Sequence, residues 1–221
     1  MERITIFVGH YGSGKTEVAV NYALKLKEEG NDVIIVDLDI VNAYYRTKDN
    51  EKMLTEKGIE VISPTYANTN VDLPSLPPHL LKVFADKSKK IVFDVGGDDA
   101  GATALGRFFG YFSQEKYEMY SVINTKRPLT DTKENIIMMI KEINLNSRLE
   151  ITGLINNTNL SYETTCEDIY EGEKLVLAVS EEIKLPFIFT SLFEEYVSEY
   201  KKKSDSELFL IKKYLKLPWQ N

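Results

Sequence analysis

The sequence predicts an α/β fold in which a mainly parallel sheet of about seven strands is flanked by helices. Short runs rich in β-branched residues alternate with longer segments of helical periodicity, which is the order expected of consecutive βαβ units. Several of the short runs are almost continuously apolar, as strands covered on both faces are. The chain has 221 residues, of which 43% are hydrophobic, so we expect one domain with one sizeable core.

The individual elements follow from these patterns in chain order. Strand-like segments are residues 4–8, 33–37, 60–63, 90–95, 117–124, 150–156 and 187–190. Helical periodicity fits residues 16–29, 78–87, 102–114, 130–143, 162–183 and 206–217. Residues 63–78 are rich in Pro, Asn and Thr, and we expect an irregular lid or binding loop there.

Charge and composition exclude several classes of protein. The net charge of −7 argues against non-specific nucleic-acid binding, which requires Lys and Arg to neutralise phosphates. No apolar run reaches the roughly 18 residues of a membrane-spanning helix. The first residues lack the layout of a signal peptide. The single cysteine, Cys166, excludes an internal disulfide and a multi-cysteine metal site within one chain. We therefore expect a cytoplasmic protein.

A glycine-rich turn connects the first predicted strand to the first predicted helix. In VGHYGSGKTE (residues 8–17), Gly9 is followed after four residues by Gly14-Lys15-Thr16. Glycines in such a turn let the backbone N–H groups and the helix N-terminus face an anion. Lys15 would reach the terminal phosphates of a nucleotide, and the Thr16 hydroxyl would bind Mg²⁺. An ordinary glycine-rich turn is the alternative. The strand-to-helix setting favours a phosphate-binding P-loop made of Gly9, Gly12, Ser13, Gly14, Lys15, Thr16 and Glu17.

Two further strands end in aspartates. VIIVDLD ends with Asp37 and Asp39, and KIVFDVGG contains Asp94 followed by Gly97. The carboxyl ends of parallel strands meet at one edge of a sheet, which would bring these aspartates to the glycine-rich turn. In Asp94-x-x-Gly97, the aspartate would hold Mg²⁺ through water and the Gly97 N–H would meet a γ-phosphate. The following segment would then be a nucleotide-dependent switch. The alternative is that Asp94 caps a turn or a helix.

Five stretches together resemble a known family. GHYGSGKT, VDLDIVNAYYR, FDVGGDDAGATALGR, NTKRP and GLINNTNLSYETT occur in this order and span nearly the whole chain. They resemble the MinD/ParA-like nucleotide-binding proteins, which include the CobQ and CobB ATP-binding domains. The nearest resemblance is to a branch of stand-alone bacterial ATP-binding proteins of unsettled role. It implies one doubly wound nucleotide-binding domain over residues 1–221, with the P-loop NTPase fold. It also implies that MgATP is bound and hydrolysed slowly, with hydrolysis coupled to a conformational or dimerisation switch.

The resemblance also implies roles for single residues. Lys15 and Asp39 would be catalytic, with Asp39 orienting the attacking water. The implied metal site consists of Thr16, Asp37 and Asp94. Asn156 stands at the strand end where the relatives recognise adenine, a task that suits an amide because it both donates and accepts hydrogen bonds. The alternative is that Asn156 is a turn residue.

The sequence departs from the family at His10. Relatives with a two-lysine loop have a second lysine here, which reaches across a dimer to the partner's phosphates. Histidine is shorter and mostly neutral at cytoplasmic pH, so it either fills space beside the loop or replaces the lysine incompletely. A homodimer that depends on residue 10 is therefore in doubt. Lys126, Arg46 or Arg127 could supply the charge instead, although exposed arginines are more often simply solvated.

Three functions are compatible with these features. The leading hypothesis is a MgATP-dependent switch ATPase that binds ATP and ADP and acts on, or reports to, an unidentified protein partner. The second is a small-molecule kinase or ATP-dependent ligase resembling dethiobiotin synthetase or CobQ/CobB. Residues 63–78 contain no Lys or Arg, which weakens the case for an anionic second substrate.

The third is a membrane-positioning ATPase. Residues 207–219 combine basic and apolar residues, as a membrane-binding helix does. However, the consecutive apolar residues 208–211 would surround most of a helix, which favours a helix buried against the sheet.

Overall fold

The computed structural model describes residues 2–39, 47–63, 78–97 and 99–214. Its strands are β1 (Ile4–Val8), β2 (Val33–Leu38), β3 (Glu60–Ile62), β4 (Lys90–Val95), β5 (Tyr117–Ile123), β6 (Gly153–Asn156), β7 (Phe187–Leu192) and β8 (Leu208–Leu210). They form one parallel sheet in the order β3-β2-β4-β1-β5-β6-β7-β8. The predicted parallel α/β sheet is confirmed, with eight strands in the described residues.

Helices cover both faces of this sheet. They are α1 (Lys15–Glu28), α2 (Glu51–Glu56), α3 (Pro78–Ala85), α4 (Asp99–Gly106), α5 (Phe109–Phe112), α6 (Lys133–Ser147), α7 (Cys166–Ile183) and α8 (Val197–Tyr200). Short 3₁₀ turns occupy Thr47–Asn50, Ser161–Glu163 and Glu194–Tyr196. No helix in the described part of the chain has both the length and the apolar character needed to span a bilayer.

Two buried clusters hold the layers together. Alternate residues of β1 point to opposite faces, so Ile4 and Ile6 join the cluster that includes residues of α3, α4, α6 and α7. Phe7 joins the cluster with α1, where its ring meets Tyr22 edge to face at 5.2 Å. Phe93 of β4 is fully buried, and its loss to alanine typically destabilises a core by about 3–5 kcal/mol.

Capping residues set two helix boundaries that periodicity placed too early. The Thr132 side chain accepts a hydrogen bond from Asn135 N at 3.2 Å, so α6 begins at Lys133. Thr165 and Asp168 form a capping box, so α7 begins at Cys166. The predicted helix over residues 102–114 divides into α4 and α5.

The predicted helix over residues 206–217 is wrong within the described residues. Residues 208–210 instead form β8, which adds a strand beside β7. Phe209 is buried against Phe189, with ring centroids 4.9 Å apart, whereas Leu210 is half-exposed. This alternation follows from the strand period of two. The open edge of β7 offers unpaired backbone groups, and pairing them overrides the local helical pattern.

Helix α4 contacts its neighbours through glycines. A Cβ on Gly101 would overlap the carbonyl oxygen of Gly96, directly after β4. A Cβ on Gly106 would lie 2.9 Å from the carbonyl oxygen of Asn146 in α6. Arg148 Nη2 donates to Gly106 O at 2.6 Å. The backbone of α4 thus packs directly against the end of β4 and the end of α6.

Candidate functional site

The turn between β1 and α1 requires glycine for two reasons. Gly9, Gly12 and Gly14 have φ of 147°, 77° and 79°, which side-chain-bearing residues rarely adopt. A Cβ on Gly9 would also overlap Val122 O, and one on Gly14 would overlap the Asn157 amide. The turn therefore lies directly against the backbone of β5 and the loop after β6.

Side chains from neighbouring strand ends hold this turn in place. Asn157 Nδ2 donates to Ser13 O at 2.6 Å, and Asn157 Oδ1 accepts from Ser191 Oγ at 2.7 Å. Arg127 Nε donates to Gly12 O at 3.1 Å. Two carbonyl groups of the turn are thereby fixed from outside, which fixes the orientation of its peptide planes.

The side chains of Lys15 and Thr16 lie at the N-terminus of α1. Both residues are buried and line a cavity of about 710 Å³. A Cβ on Gly97 would lie 2.7 Å from Lys15 Nζ and 2.6 Å from Tyr11 N. The ammonium group of Lys15 therefore lies over the end of β4, as the predicted contacts of Lys15 and Gly97 with one terminal phosphate require.

Two aspartates lie side by side on neighbouring strands. Asp37 of β2 pairs in register with Asp94 of β4. Asp94 is fully buried, and its Oδ2 accepts from Thr47 Oγ1 at 2.9 Å. Burial, followed by the charge of Asp37, raises the pKa of Asp94 to about 7, while Lys15 and hydrogen bonds lower it. An ionised Asp94 would therefore be stabilised by a cation at this position.

The donor atoms present here fit Mg²⁺. Asp94 Oδ1 is buried and has no hydrogen-bond partner among the described residues. A buried oxygen without a partner is costly, and a cation would satisfy it. Mg²⁺ in nucleotide sites typically takes one or two carboxylates together with phosphate oxygens and water. Accordingly, the described residues contain no group of three or more His, Cys, Asp or Glu suited to holding a metal by themselves.

Asp39 lies at the same edge of the sheet. Its backbone N donates to Asp37 Oδ1 at 3.0 Å, which fixes the chain as it leaves β2. Its carboxylate approaches Gly96, since a Cβ on that glycine would lie 3.2 Å from Asp39 Oδ1. Asp39 lines the 710 Å³ cavity. One edge of the sheet thus brings together the predicted residues Lys15, Thr16, Asp37, Asp39, Asp94 and Gly97.

The rest of the cavity lining combines apolar side chains with amides and hydroxyls. The apolar lining consists of Ile169, Leu192, Phe193, Tyr196 and Ile211. The polar lining includes Asn157, Thr158, Asn159, Ser161, Thr164 and Ser191. The volume lies within the roughly 300–1,000 Å³ of small-molecule sites, and the combination suits a planar heterocycle.

Asn156 does not line the cavity. It is fully buried, and its Nδ2 donates to Ile169 O at 3.1 Å and to Thr190 Oγ1 at 3.3 Å. Its Oδ1 accepts from the N–H and the hydroxyl of Thr158, at 3.2 and 2.7 Å. Asn156 therefore shapes the loop behind the cavity wall, while Asn157, Thr158 and Asn159 reach the cavity.

The remaining predicted residues occupy different places. His10 is half-buried, with Nδ1 3.2 Å from Tyr11 O, and lines a second cavity of about 280 Å³ together with Gly9 and Gly97. Arg127 lines the first cavity. Lys126 forms an ion pair with Asp168 at 2.7 Å. Arg46 and residues 64–77 of the predicted loop lie outside the described residues.

Three parts of the site were not predicted. Thr47 donates to Asp94, although it lies far from Asp94 in the chain and in no motif. Ile211 and Lys213 line the cavity beyond β8. For Asn157, the doubled Asn156-Asn157 in GLINNTN was a usable signal, because only one of two successive residues at a strand end can face the ligand.

Comparison with solved structures finds the same fold in larger proteins. Cell division protein FtsY from Thermotoga maritima is 18% identical, with a TM-score of 0.61 over 87% of this chain and 62% of that one. Chloroplast FtsY from Physcomitrella patens is 18% identical, with a TM-score of 0.60 over 89% of this chain and 60% of that one. FlhF complexed with GTP/Mg²⁺ is 13% identical, with a TM-score of 0.57 over 86% of this chain and 65% of that one.

The chain therefore spans less than two thirds of the length of these proteins. No model of a protein family matches it, and none of the curated proteins does. At these identities the likeness concerns the architecture alone. The chain has the α/β fold of the P-loop NTPases.

Proposed function

We propose that this chain is a MgATP-binding switch ATPase of the MinD/ParA-like type, which hydrolyses ATP slowly and acts on or reports to a protein partner. One observation carries the proposal. Gly12, Gly14, Lys15 and Thr16 line one cavity, and the buried Asp94, with its unpartnered oxygen, lies beside Lys15 and Thr16. This combination of anion donors and a cation-seeking carboxylate fits a magnesium–triphosphate complex.

Binding would use the turn and the start of α1. The N–H groups of the turn and of the helix N-terminus would face the phosphates, and Lys15 would contact the terminal ones. Thr16 and Asp94 would hold Mg²⁺, with Asp37 beside Asp94 adding negative charge. Bound Mg²⁺ would neutralise charge on the β- and γ-phosphates. Arg127, fixed to Gly12 O, would add a positive charge at the cavity wall.

Hydrolysis would depend on Asp39. Its carboxylate would accept a hydrogen bond from water and orient that water toward the γ-phosphate. Tethering of its backbone to Asp37 would keep this orientation. The basic residues that line the described cavity are Lys15, Arg127 and Lys213. Few positive charges near the developing negative charge accord with slow turnover, because a further cation typically raises such rates strongly.

The switch would be located at the end of β4. A γ-phosphate contact with Gly97 would distinguish ATP from ADP, and a ligand shifts an equilibrium only by such differential affinity. Since the shorter His10 replaces the family lysine and does not line the 710 Å³ cavity, we propose that any homodimer does not depend on residue 10.

ATP is the nucleotide we propose, because the motifs resemble those of ATP-binding proteins. FlhF, which shares the fold, was solved with GTP/Mg²⁺. GTP is therefore the competitor of choice. Displacement of a bound fluorescent ATP analogue by unlabelled ATP and GTP in parallel would assign the base, and preference for GTP would contradict this part of the proposal.

The kinase or ligase alternative is less well supported. Its second substrate would need a place beside the γ-phosphate, and the candidate is the 280 Å³ cavity, because Gly97 lines it. Among the described residues of its lining, the ionisable ones are His10 and Glu142, and the rest are mostly apolar. Such a lining does not suit an anionic substrate. The membrane alternative loses its basis over residues 206–214, because the predicted helix there is replaced by β8.

Calorimetry with MgATP tests the proposal. We expect Lys15→Ala to lose ATP binding with its circular dichroism spectrum unchanged, because the ammonium contacts the triphosphate and is not part of the core. Lys27→Ala, which removes a lysine near the other end of the same helix, where it pairs with the exposed Asp32, is the matched control and should bind as the wild type does. Unchanged affinity in Lys15→Ala would refute nucleotide binding at this turn.

A further inference from the structure

The segment that follows β8 forms a wall of the large cavity. This C-terminal segment (residues 211–214) begins where Ile211 N donates to Leu192 O at 3.0 Å, which continues the pairing of β8 with β7. Ile211 and Lys213 line the cavity, as do residues of the loop after β6. Phe209 anchors the preceding strand by packing against Tyr22 of α1, with ring centroids 6.1 Å apart.

One side chain of α1 holds this segment by both of its polar atoms. Asn21 Oδ1 accepts from Lys212 N at 2.8 Å, and Asn21 Nδ2 donates to Lys212 O at 2.8 Å. The same Nδ2 donates to Glu17 O at 2.8 Å. Asn21 is buried, so its amide pairs with the peptide of Lys212 as a neighbouring strand would.

A second contact comes from the first turn of the same helix. Glu17 Oε1 accepts from Tyr214 N at 2.6 Å. Glu17 directly follows Thr16 and itself lines the cavity. Helix α1, whose N-terminus would bind the phosphates, therefore also holds the C-terminal segment in place.

We propose that the C-terminal segment forms part of the nucleotide-binding site and that Asn21 and Glu17 hold it against the cavity. This proposal rests on the proposed nucleotide binding. The affinity for nucleotide then depends on the fraction of molecules in which the segment is bound to α1. When the segment detaches, the cavity loses one of its walls. By reciprocity, bound nucleotide holds the segment in place to the same degree.

The direct test is Asn21→Ala. It removes both hydrogen bonds to Lys212, and we expect roughly tenfold weaker binding of a fluorescent ATP analogue. Asn31→Ala is the matched control, because Asn31 bonds Leu26 O at the other end of the same helix and is outside the cavity lining. We expect its affinity within about twofold of the wild type, as for a residue that makes no contact with the site.

A second variant leaves α1 untouched. Lys212→Pro removes the N–H that Asn21 accepts, and it should weaken analogue binding in the same way. It keeps the test decisive if Asn21→Ala unfolds.

Trypsin gives a readout that does not use affinity. Lys212 and Lys213 are exposed. Trypsin can cleave after them only when the segment detaches from α1, because a protease needs an unbound backbone. We expect ATP to slow this cleavage in the wild type, and we expect Asn21→Ala to be cleaved faster without nucleotide. Wild-type affinity in both Asn21→Ala and Lys212→Pro, with cleavage insensitive to ATP, would overturn this proposal alone. A wild-type chain that binds no nucleoside triphosphate would overturn the proposed function and this proposal with it.

Discussion

Replacing Gly97 by alanine would place a methyl group in the contact between the end of β4 and the glycine turn. The added Cβ would lie 2.6 Å from Tyr11 N, 2.8 Å from Tyr11 Cα and 2.7 Å from Lys15 Nζ. Real Cβ atoms essentially never approach other heavy atoms this closely, so one of the groups must move. Gly97 is not among the glycines with positive φ, so alanine introduces no backbone strain of its own.

The size of the effect follows from which group moves. The ammonium of Lys15 is the end of a flexible side chain, whereas Tyr11 contributes backbone, so Lys15 is displaced first. Losing its charged hydrogen bond to phosphate corresponds to about 1.5–3 kcal/mol, or roughly 10- to 150-fold in affinity. The free energy of unfolding should fall by about 1–3 kcal/mol, as overpacking usually costs, because moving Lys15 does not relieve the close contacts with the Tyr11 backbone.

Calorimetry of MgATP binding, together with urea unfolding, checks both expectations. Gly110→Ala is the matched control, since a Cβ on Gly110 of α5 would have nothing within 4 Å. We expect Gly97→Ala to bind at least tenfold more weakly than Gly110→Ala at a urea concentration of zero, where both variants are folded, and to unfold at a lower urea concentration. Equal affinities in the two variants would refute the placement of Lys15 over the end of β4 as the phosphate contact.

Three further predictions concern catalysis, assembly and stability. Asp39→Ala should retain ATP affinity and lose about 10²–10⁴-fold in phosphate release, and hydrolysis within a few-fold of wild type would assign the water to another residue. His10→Ala should change ATP turnover little, whereas His10→Lys should raise nucleotide-dependent dimerisation; an ATP-dependent dimer seen by light scattering that disappears in His10→Ala would contradict this. Arg3, and then Lys87, lower the pKa of Glu115 from 4.5 to about 2, so this carboxylate stabilises the fold fully above pH 4.5 and not below about pH 2. Urea unfolding should therefore show Glu115→Gln destabilised by about 1–2 kcal/mol at pH 7 and equal to wild type at pH 2.

Most of the sheet could be predicted because its signals are local. Buried parallel strands are continuous apolar runs, and β1 and β4 have the predicted bounds. The identity of β8 could not be predicted, because residues 208–211 are apolar whichever element they form. What decides the matter is the unpaired edge of β7, which is distant in sequence.

The candidate site divides in the same way. Lys15, Thr16 and Asp94 belong to short motifs whose geometry follows from one strand and one turn. Asn156 lies at the end of β6, but its side chain contacts Ile169 O and Thr190 and does not line the cavity. The contribution of Thr47 to Asp94 depends on tertiary packing, which no local pattern records.

The glycine contacts of α4 have a mechanical consequence. At Gly101 and Gly106, backbone meets backbone, so no rotamer can change to absorb a displacement. A displacement of Gly96 would therefore press on α4 at Gly101, and a displacement of α4 would press on the end of α6 at Gly106, where Arg148 donates to Gly106 O. Helix α4 thus connects the end of β4 to the end of α6 through two close backbone contacts.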